Sequence, residues 1–372
     1  HIPYCRQKCH YCNFFSLATG RHREIFPQAL ISEAISRRDY LEGETVQTIY
    51  FGGGTPSLLG PEVIGEIILR LSELFDLDAD AEITLEANPD DLDEAYLKQL
   101  AKTRVNRLSI GIQSFRDEDL HYLNRVHGGQ DALQSVQRAK EAGFHNLTVD
   151  LIYGIPTLSH EAWNQNLDTF FALGLAHLSA YALTVEPKTA LDHLISKRKL
   201  SPVDEVQTAT QFEILLNRME KEGFVHYEIS NFAKPGHYSR HNSLYWLGGH
   251  YLGLGPSAHS FNGRTRQWNV ARLDQYVSGS ATEGVVQEKE VLTITQRYNE
   301  YVMTSLRTSW GTDLEHISSV FGAGMAEFCL KSVQPFIHKG KIVQTGSRLF
   351  LTAKGKLFAD GIAASLFADE AV

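Results

Sequence analysis

Short β-branched runs alternate with longer stretches of helical apolar spacing through the first half of the chain. The runs fall at residues 46–51, 82–85, 107–112, 146–152 and 177–182. In the stretch after Pro61, residues Val63, Ile67, Leu71 and Leu74 share one face, as in an amphipathic helix. Pro61 suits a first helical position, where a missing N–H costs no hydrogen bond. Gly143 and Gly174 follow the ends of two later helical stretches, where a left-handed residue closes the helix. This alternation predicts parallel strands joined by right-handed crossovers, in a barrel or an open sheet.

The residues just after the strand ends are unusual: Gly52-Gly53-Gly54-Thr55-Pro56, Asn88-Pro89, Gln113-Ser114-Phe115 and Gly154-Ile155-Pro156. In (β/α) barrels that end of the strands carries the chemistry. Gly and Pro also simply make tight turns, but four such turns with polar residues at one mouth favour a site. Residues 186–204 read as a polar connection, and a helical pattern from about 204 to 222 closes at Gly223. An irregular His-, Tyr- and Gly-rich region spans 225–268. From about 286 the pattern gives helices, two short strands at 341–344 and 348–352 turned by Gly346-Ser347, and a final helix. The expected division is a barrel domain with its extension over 1–285 and a small winged-helix-like α+β domain over 286–372.

With 372 residues and 43% hydrophobic content, the chain can bury a large core. Its net charge of -9 gives no bulk-charge reason for a nucleic-acid or membrane-surface partner. No apolar run is long enough to span a bilayer and no signal peptide is visible, so a cytoplasmic location is expected. The chain opens at His1-Ile2-Pro3 without an initiator Met, which suggests that residues precede it in the gene product. Of 4 Cys, three crowd into one segment, and Cys329 lies alone in an apolar stretch that should bury it. That distribution suits a reducing compartment and a metal centre rather than a disulfide framework.

The segment is Cys5-Arg6-Gln7-Lys8-Cys9-His10-Tyr11-Cys12. Three thiolates on a short loop suit three irons of a [4Fe–4S] cube and leave one iron open. A Cys3His zinc site with His10 is the competing reading, although structural zinc sites usually split their ligands into two separated pairs. The glycine loop lacks the Gly-Lys-Ser/Thr ending of a Walker-type phosphate loop.

Cys-x3-Cys-x2-Cys, with Tyr11 before the third Cys, resembles the radical SAM superfamily. The match continues in order through His1-Ile2-Pro3-Tyr4-Cys5, Gly53-Gly54-Thr55-Pro56, Gly111-Ile112-Gln113-Ser114-Phe115, Asp150-Leu151-Ile152-Tyr153-Gly154-Ile155-Pro156 and His241-Asn242-Ser243-Leu244-Tyr245-Trp246. Together these resemble the oxygen-independent coproporphyrinogen III oxidase group, and within it the HemW-type haem chaperones. The resemblance covers nearly the whole chain. It implies an α/β fold, a partial (β/α)6 radical SAM barrel, with Cys5, Cys9 and Cys12 on a [4Fe–4S] cluster. The open iron would hold S-adenosylmethionine (SAM), and one electron would release a 5′-deoxyadenosyl radical.

On matching positions, Tyr11 is expected near the adenine, and Gly53, Gly54, Thr55 and Glu86 at the methionine amino end. Arg125 is expected on the SAM carboxylate, Gln113 and Asp150 on the ribose hydroxyls, and Ala182 at the adenine. The bland readings are a salt bridge at the barrel mouth for Glu86 and Asp150, and a solvated helix end for Arg125. The sequence departs from the oxidase at Phe14, where that pattern has a fourth Cys, and at His259, where it has an aliphatic residue. It also lacks the oxidase's N-terminal extension, and His259 joins the expected SAM set. His241 through Trp246 match the branch's haem-binding signature, with His241 as axial ligand and Tyr245 and Trp246 against the porphyrin face. The alternative is a capped loop whose aromatics fill the barrel floor; His226, His237, His250 and His259 are rival ligands.

The implied partners are haem, haem-accepting proteins such as respiratory cytochromes (membrane proteins among them), and an electron donor for the cluster. No nucleic acid is expected, because the winged module lacks a basic recognition helix. The alternative function is conversion of coproporphyrinogen III to protoporphyrinogen IX, which Phe14 disfavours. A radical SAM enzyme acting on tRNA fits the acidic balance less well.

Overall fold

The computed structural model describes residues 1–279 and 285–369. Five parallel strands open the main sheet: β1 (Val46–Phe51), β2 (Leu77–Ala87), β3 (Arg107–Gln113), β4 (Leu147–Tyr153) and β5 (His177–Ala182). Each lies where the β-branched runs predict, and each pairs with its sequence neighbour. β3 is buried at every position and β4 at all but Asp150, as expected of strands covered on both faces.

The next two places in the sheet differ from a simple barrel repeat. β6 (Val225–Glu228) and β7 (Asn231–Ala233) form an antiparallel hairpin, and β7 pairs antiparallel with β5. The sheet order is therefore β1-β2-β3-β4-β5-β7-β6, a curled half-barrel. These strands lie in the region whose pattern reads as irregular, because three or four residues are too few to display a period. The connection at 186–204 likewise contains a helix, Ala190–Ser196, with Leu191 buried.

Helix Pro61–Leu74 begins on its proline as expected, but its buried stripe is Ile64, Ile67 and Ile68. Val63 and Leu71 pack only at the core's margin, and Leu74 is half-buried. The helix is wedged between helices Phe26–Ser36 and Glu94–Leu100, which turns the buried face from the one the simple i, i+4 pattern picks. Helix Glu205–Lys221 starts on Asp204, whose carboxylate accepts from Val206 N and Gln207 N, and it closes before Gly223 at φ +72.

A second sheet, β8 (His259–Phe261), β9 (Thr265–Asn269) and β10 (Val286–Val291), is locked to the barrel through helix Phe26–Ser36. Glu33 is fully buried and accepts from Tyr276 OH at 2.7 Å, Asn269 Nδ2 at 2.6 Å and Gly255 N at 2.8 Å. Arg37 bonds Glu33 at 3.0 Å, and also Ser260 and Gln267 at 2.9 and 3.0 Å. With that many partners the buried pair is satisfied, the condition under which burying charge is tolerable.

A separate core gathers Tyr298, Val302, Leu306, Ile317, Cys329, Val333 and Leu349. Its elements follow as helix Ile294–Leu306, β11 (Thr312–Asp313), helices Leu314–Phe321 and Ala323–His338, then β12 (Ile342–Thr345) and β13 (Arg348–Leu351). That is a winged-helix order, with Gly346 turning the wing at φ +60. Among the described residues no helix is long and apolar enough to cross a membrane.

Candidate functional site

The N-terminal segment runs beside the glycine loop as a short extra strand. Ile2 N donates to Gly52 O at 2.8 Å, Gly54 N to Ile2 O at 2.8 Å, and Thr55 N to Tyr4 O at 2.7 Å. Glycine is required for this contact. A Cβ on Gly54 would sit 2.6 Å from Tyr4 O, and one on Gly53, at φ +114, would sit 1.9 Å from the His1 ring. The loop therefore holds the cysteine segment itself, a role the sequence pattern does not suggest.

Each of the three thiols has a polar neighbour. Thr55 Oγ1 donates to Cys5 Sγ at 3.6 Å, Arg125 Nη1 to Cys9 Sγ at 3.3 Å, and Ser16 Oγ lies 3.9 Å from Cys12 Sγ. Asn88 ties two of these together. Its Nδ2 donates to Thr55 Oγ1 at 3.1 Å, and its Oδ1 accepts from Arg125 Nη2 at 2.5 Å. Arg125 also bonds Gly111 O at 2.7 Å, while its buried Nε has no hydrogen-bond partner among the described residues. Burial pushes the Cys5 thiol up, against the opposing bond from Thr55. The back of the loop is clamped: Asn124 Nδ2 bonds Lys8 O, Gln7 Nε2 bonds Asn124 O, and Leu191 N bonds His10 O. His10 Nδ1 lies 3.1 Å from Tyr122 O.

Of the other expected cofactor contacts, Glu86, Gln113 and Ala182 lie at or next to strand ends, Asp150 lies midway along β4 and Tyr11 lies on the cysteine loop. Glu86, on β2, accepts from Tyr50 OH at 2.6 Å and Gly53 N at 3.2 Å. Burial raises its pKa, opposed by those two bonds. Asp150 on β4 is pushed up to about 7 by burial and then by the neighbouring Glu86 charge. Gln113 ends β3 in a left-handed conformation, φ +69, which carries its side chain against Gly111. Ala182 ends β5 at an exposed position, and Tyr11 packs against the core beside Cys9 and Arg125. His259 is exposed, with its ring 6.1 Å from Trp268.

His241 starts a second cluster. Helix Arg240–Trp246 is capped by Ser239, and buried Glu82 accepts from Arg240 N and His241 N, both at 3.0 Å. The His241 ring stacks on Tyr50 at 4.8 Å, and Thr48 Oγ1 lies 2.8 Å from its Nδ1. Its Nε2 has no hydrogen-bond partner among the described residues. Burial lowers its pKa to about 4, with the Glu82 charge opposing. Two cavities meet here and share Tyr50 and His241. One, of about 890 Å³, runs along the free edge of β1 and reaches Gly53, Glu86, His250 and His259. The other, of about 510 Å³, is lined by His241, Asn242, Tyr245, Trp246 and Arg307.

Of the rival histidines, His226 is stacked on Phe232 at 4.2 Å with Nε2 on Ile229 O. His250 pairs with Glu44 at 2.8 Å. His237 is exposed and lines neither cavity.

Comparison with known proteins fits this geometry. The radical SAM superfamily profile matches residues 1–170, and the HemN C-terminal domain profile matches 292–358. The heme chaperone HemW of Bacillus subtilis is 33% identical over 365 residues, covering 97% of this chain and 96% of that protein. The chain belongs to the HemW family. The Lactococcus lactis heme chaperone HemW is also 33% identical, over 95% of this chain and 93% of its own length. The solved structure of Escherichia coli coproporphyrinogen III oxidase (HemN), a radical SAM enzyme, superimposes with a TM-score of 0.85. It covers 99% of this chain and 89% of that one at 24% identity, so the likeness is one of fold.

Radical SAM membership brings a [4Fe–4S] cluster and SAM. The residues present fit that pair. A cube takes one thiolate per iron, so its sulfurs stand apart around a larger body. Three thiols on one clamped loop, with an Arg and a Thr donating to two of them, suit that demand.

Several site-forming residues of this HemW-family chain escape sequence reading. Asn88 was visible only as a turn residue, yet it bridges Arg125 and Thr55. Tyr50 joins Glu86 to His241 and gave no signal inside a β-branched run. Thr48, Glu82 and Arg307 reach His241 or Trp246 across long sequence separations.

Proposed function

We propose that this protein binds haem through His241 and hands it to acceptor proteins. In that reading Cys5, Cys9 and Cys12 hold a [4Fe–4S] cluster and the barrel mouth holds SAM. One observation carries it: His241, Tyr245 and Trp246 line a single cavity, and His241 also lines the larger cavity that reaches Gly53 and Glu86. A histidine with Nδ1 engaged and Nε2 free is arranged as axial ligands usually are, since the second nitrogen's bond orients the ring. Tyr245 and Trp246 meet edge-to-face at 5.1 Å and offer aromatic surface to a flat ligand.

The cluster, when bound, supplies an electron and an open iron for SAM. The chain's own residues do the positioning. Thr55 and Arg125 orient two thiols and disperse sulfur charge. Glu86 receives the amino end of SAM with Gly53, Gly54 and Thr55; Arg125 faces its carboxylate. Gln113 and Asp150 take the ribose hydroxyls, and Tyr11, Ala182 and His259 enclose the adenine side. The acceptors are haem proteins such as respiratory cytochromes, served from the cytoplasm, and a separate reductant feeds the cluster.

Haem titration of the reconstituted protein tests this reading. Wild type gives a Soret shift that His241→Ala loses. An unchanged Soret band in that variant excludes His241 as the ligand. A parallel anaerobic reaction with SAM, reductant and coproporphyrinogen III yields no protoporphyrinogen; its appearance replaces the chaperone reading with the oxidase one.

A further inference from the structure

The winged module contributes one side chain to the His241 cavity, and its pairing is lopsided. Arg307 lies 5.3 Å over the Trp246 ring and is 16% exposed. Its Nε and Nη2 reach Glu228 Oε1 at 3.4 and 3.3 Å, and its Nη1 bonds Asp360 Oδ1. Glu228 is fixed in place: it is 1% exposed, and its other oxygen accepts from Ser230 N at 3.0 Å and Asn231 Nδ2 at 2.7 Å. Asp360 is 78% exposed and has no second hydrogen bond through its side chain among the described residues. An ion pair with one freely hydrated partner is weak and easily exchanged.

We propose that Arg307 is the docking point for a porphyrin propionate, and that Asp360 occupies that point until the ligand arrives. The inference rests on the haem reading of His241 and adds to it the recognition of the ligand's acidic edge. A guanidinium carries five donors in a planar fork that matches a carboxylate. Here it lines a cavity with the rings of Tyr50, Tyr181, Tyr245 and Trp246 and the imidazole of His241, while Ser230, Asn231, Asn242 and its own partner Glu228 supply the polar wall. Aromatic walls, a metal-ligating nitrogen and one cation at the rim match a flat metalloporphyrin with carboxylates along one edge. Propionate for Asp360 exchanges one carboxylate for another, so Arg307 is never left as an unpaired charge. It also loosens the hold of helix Ala359–Ala364 on Arg307, which couples ligand binding to the winged module.

The test compares ferric haem with haem dimethyl ester on the full chain with its cluster reconstituted. Arg307→Ala is expected to raise the Kd for haem by on the order of tenfold to a hundredfold, without moving the Soret maximum. Asp360→Asn, at an exposed position that carries little folding risk, is expected to tighten haem binding roughly threefold. Neither change should alter binding of the diester. Equal losses for haem and diester in Arg307→Ala would mean that Arg307 acts through Trp246 packing alone, and they overturn the proposal. Unchanged haem affinity in that variant, or weaker binding in Asp360→Asn, overturns it too. Should wild type bind neither ligand, the haem reading itself falls; should only His241→Ala matter, the propionate inference falls alone.

Discussion

His241 shows how one side chain's surroundings set its chemistry. An exposed histidine titrates near 6.5, but burial holds this ring at about 4. It is therefore neutral throughout the range where an ordinary histidine gains a proton, and in the tautomer that donates Nδ1–H to Thr48 Oγ1 its Nε2 carries the lone pair. Haem affinity should stay flat from pH 7 to 5 and fall only as pH approaches 4. A spectroscopic titration with a midpoint near 6.5 would argue against this residue as ligand. The stability sign follows the same shift. The folded pKa lies below the unfolded one, so the contribution is whole above about 6.5 and is lost as pH falls toward 4. Cysteine offers a second contrast at this scale. Cys12→Ala should abolish the cluster's visible absorbance after reconstitution. Cys329→Ala should keep it, because Cys329 is fully buried beside Tyr298 in the C-terminal core. Its cost should appear only as about 1 kcal/mol of lost packing in denaturant unfolding.

At the scale of elements, the glycine loop is a strut for the cysteine segment. Gly54→Ala would drive a Cβ to within 2.6 Å of Tyr4 O, with backbone on both sides and no flexible side chain to yield. The extra strand must then part from the loop, and iron content after reconstitution should fall sharply while the barrel's far-UV dichroism holds. Retention of full iron content would show that the strand contact is dispensable. Such contacts also mark how far the sequence could be read. The five parallel strands, the helix from about 204 to 222 and the glycine ends were legible, because each is a local period or a local backbone need, whereas the Asp204 cap shows only in the structure. The cysteine loop was legible as spacing. β6 and β7 were not, being shorter than any period. The Glu33–Arg37 network was not either, since its partners lie more than 200 residues away. The same holds for Thr48 on His241 and for Arg307 over Trp246: each half is an ordinary residue until the fold joins them.

Across the whole molecule, the winged module docks on the barrel beside the His241 cavity through polar contacts together with Trp310 against Tyr227 and Tyr238 and Ile229 against the C-terminal core. Ser309 N donates to Tyr227 O at 3.0 Å, Arg307 reaches Glu228, and Lys356 Nζ lies 2.8 Å from His226 Nδ1. With Ile229 O accepting from Nε2–H, His226 presents its lone pair to the lysine. Burial drives both pKa values down, His226 to about 3 and Lys356 to about 8, the latter opposed by Glu220. For each group the folded value lies below the unfolded one, so the folded state disfavours the added proton. The docking contribution of His226 is therefore complete above about pH 6.5 and drains away as pH falls toward 3. A proton on Nδ1 would also set two donors face to face. Hydrogen exchange of β6, β7 and helix Ala353–Lys356 should accelerate between pH 6.5 and 5, beyond the intrinsic pH effect on exchange and ahead of the central strands. His226→Gln keeps an acceptor for Lys356 but cannot titrate, so it should flatten that dependence. Equal acid sensitivity in wild type and His226→Gln would place the weak point elsewhere, with the buried His127, also held near 4, as the next group to test.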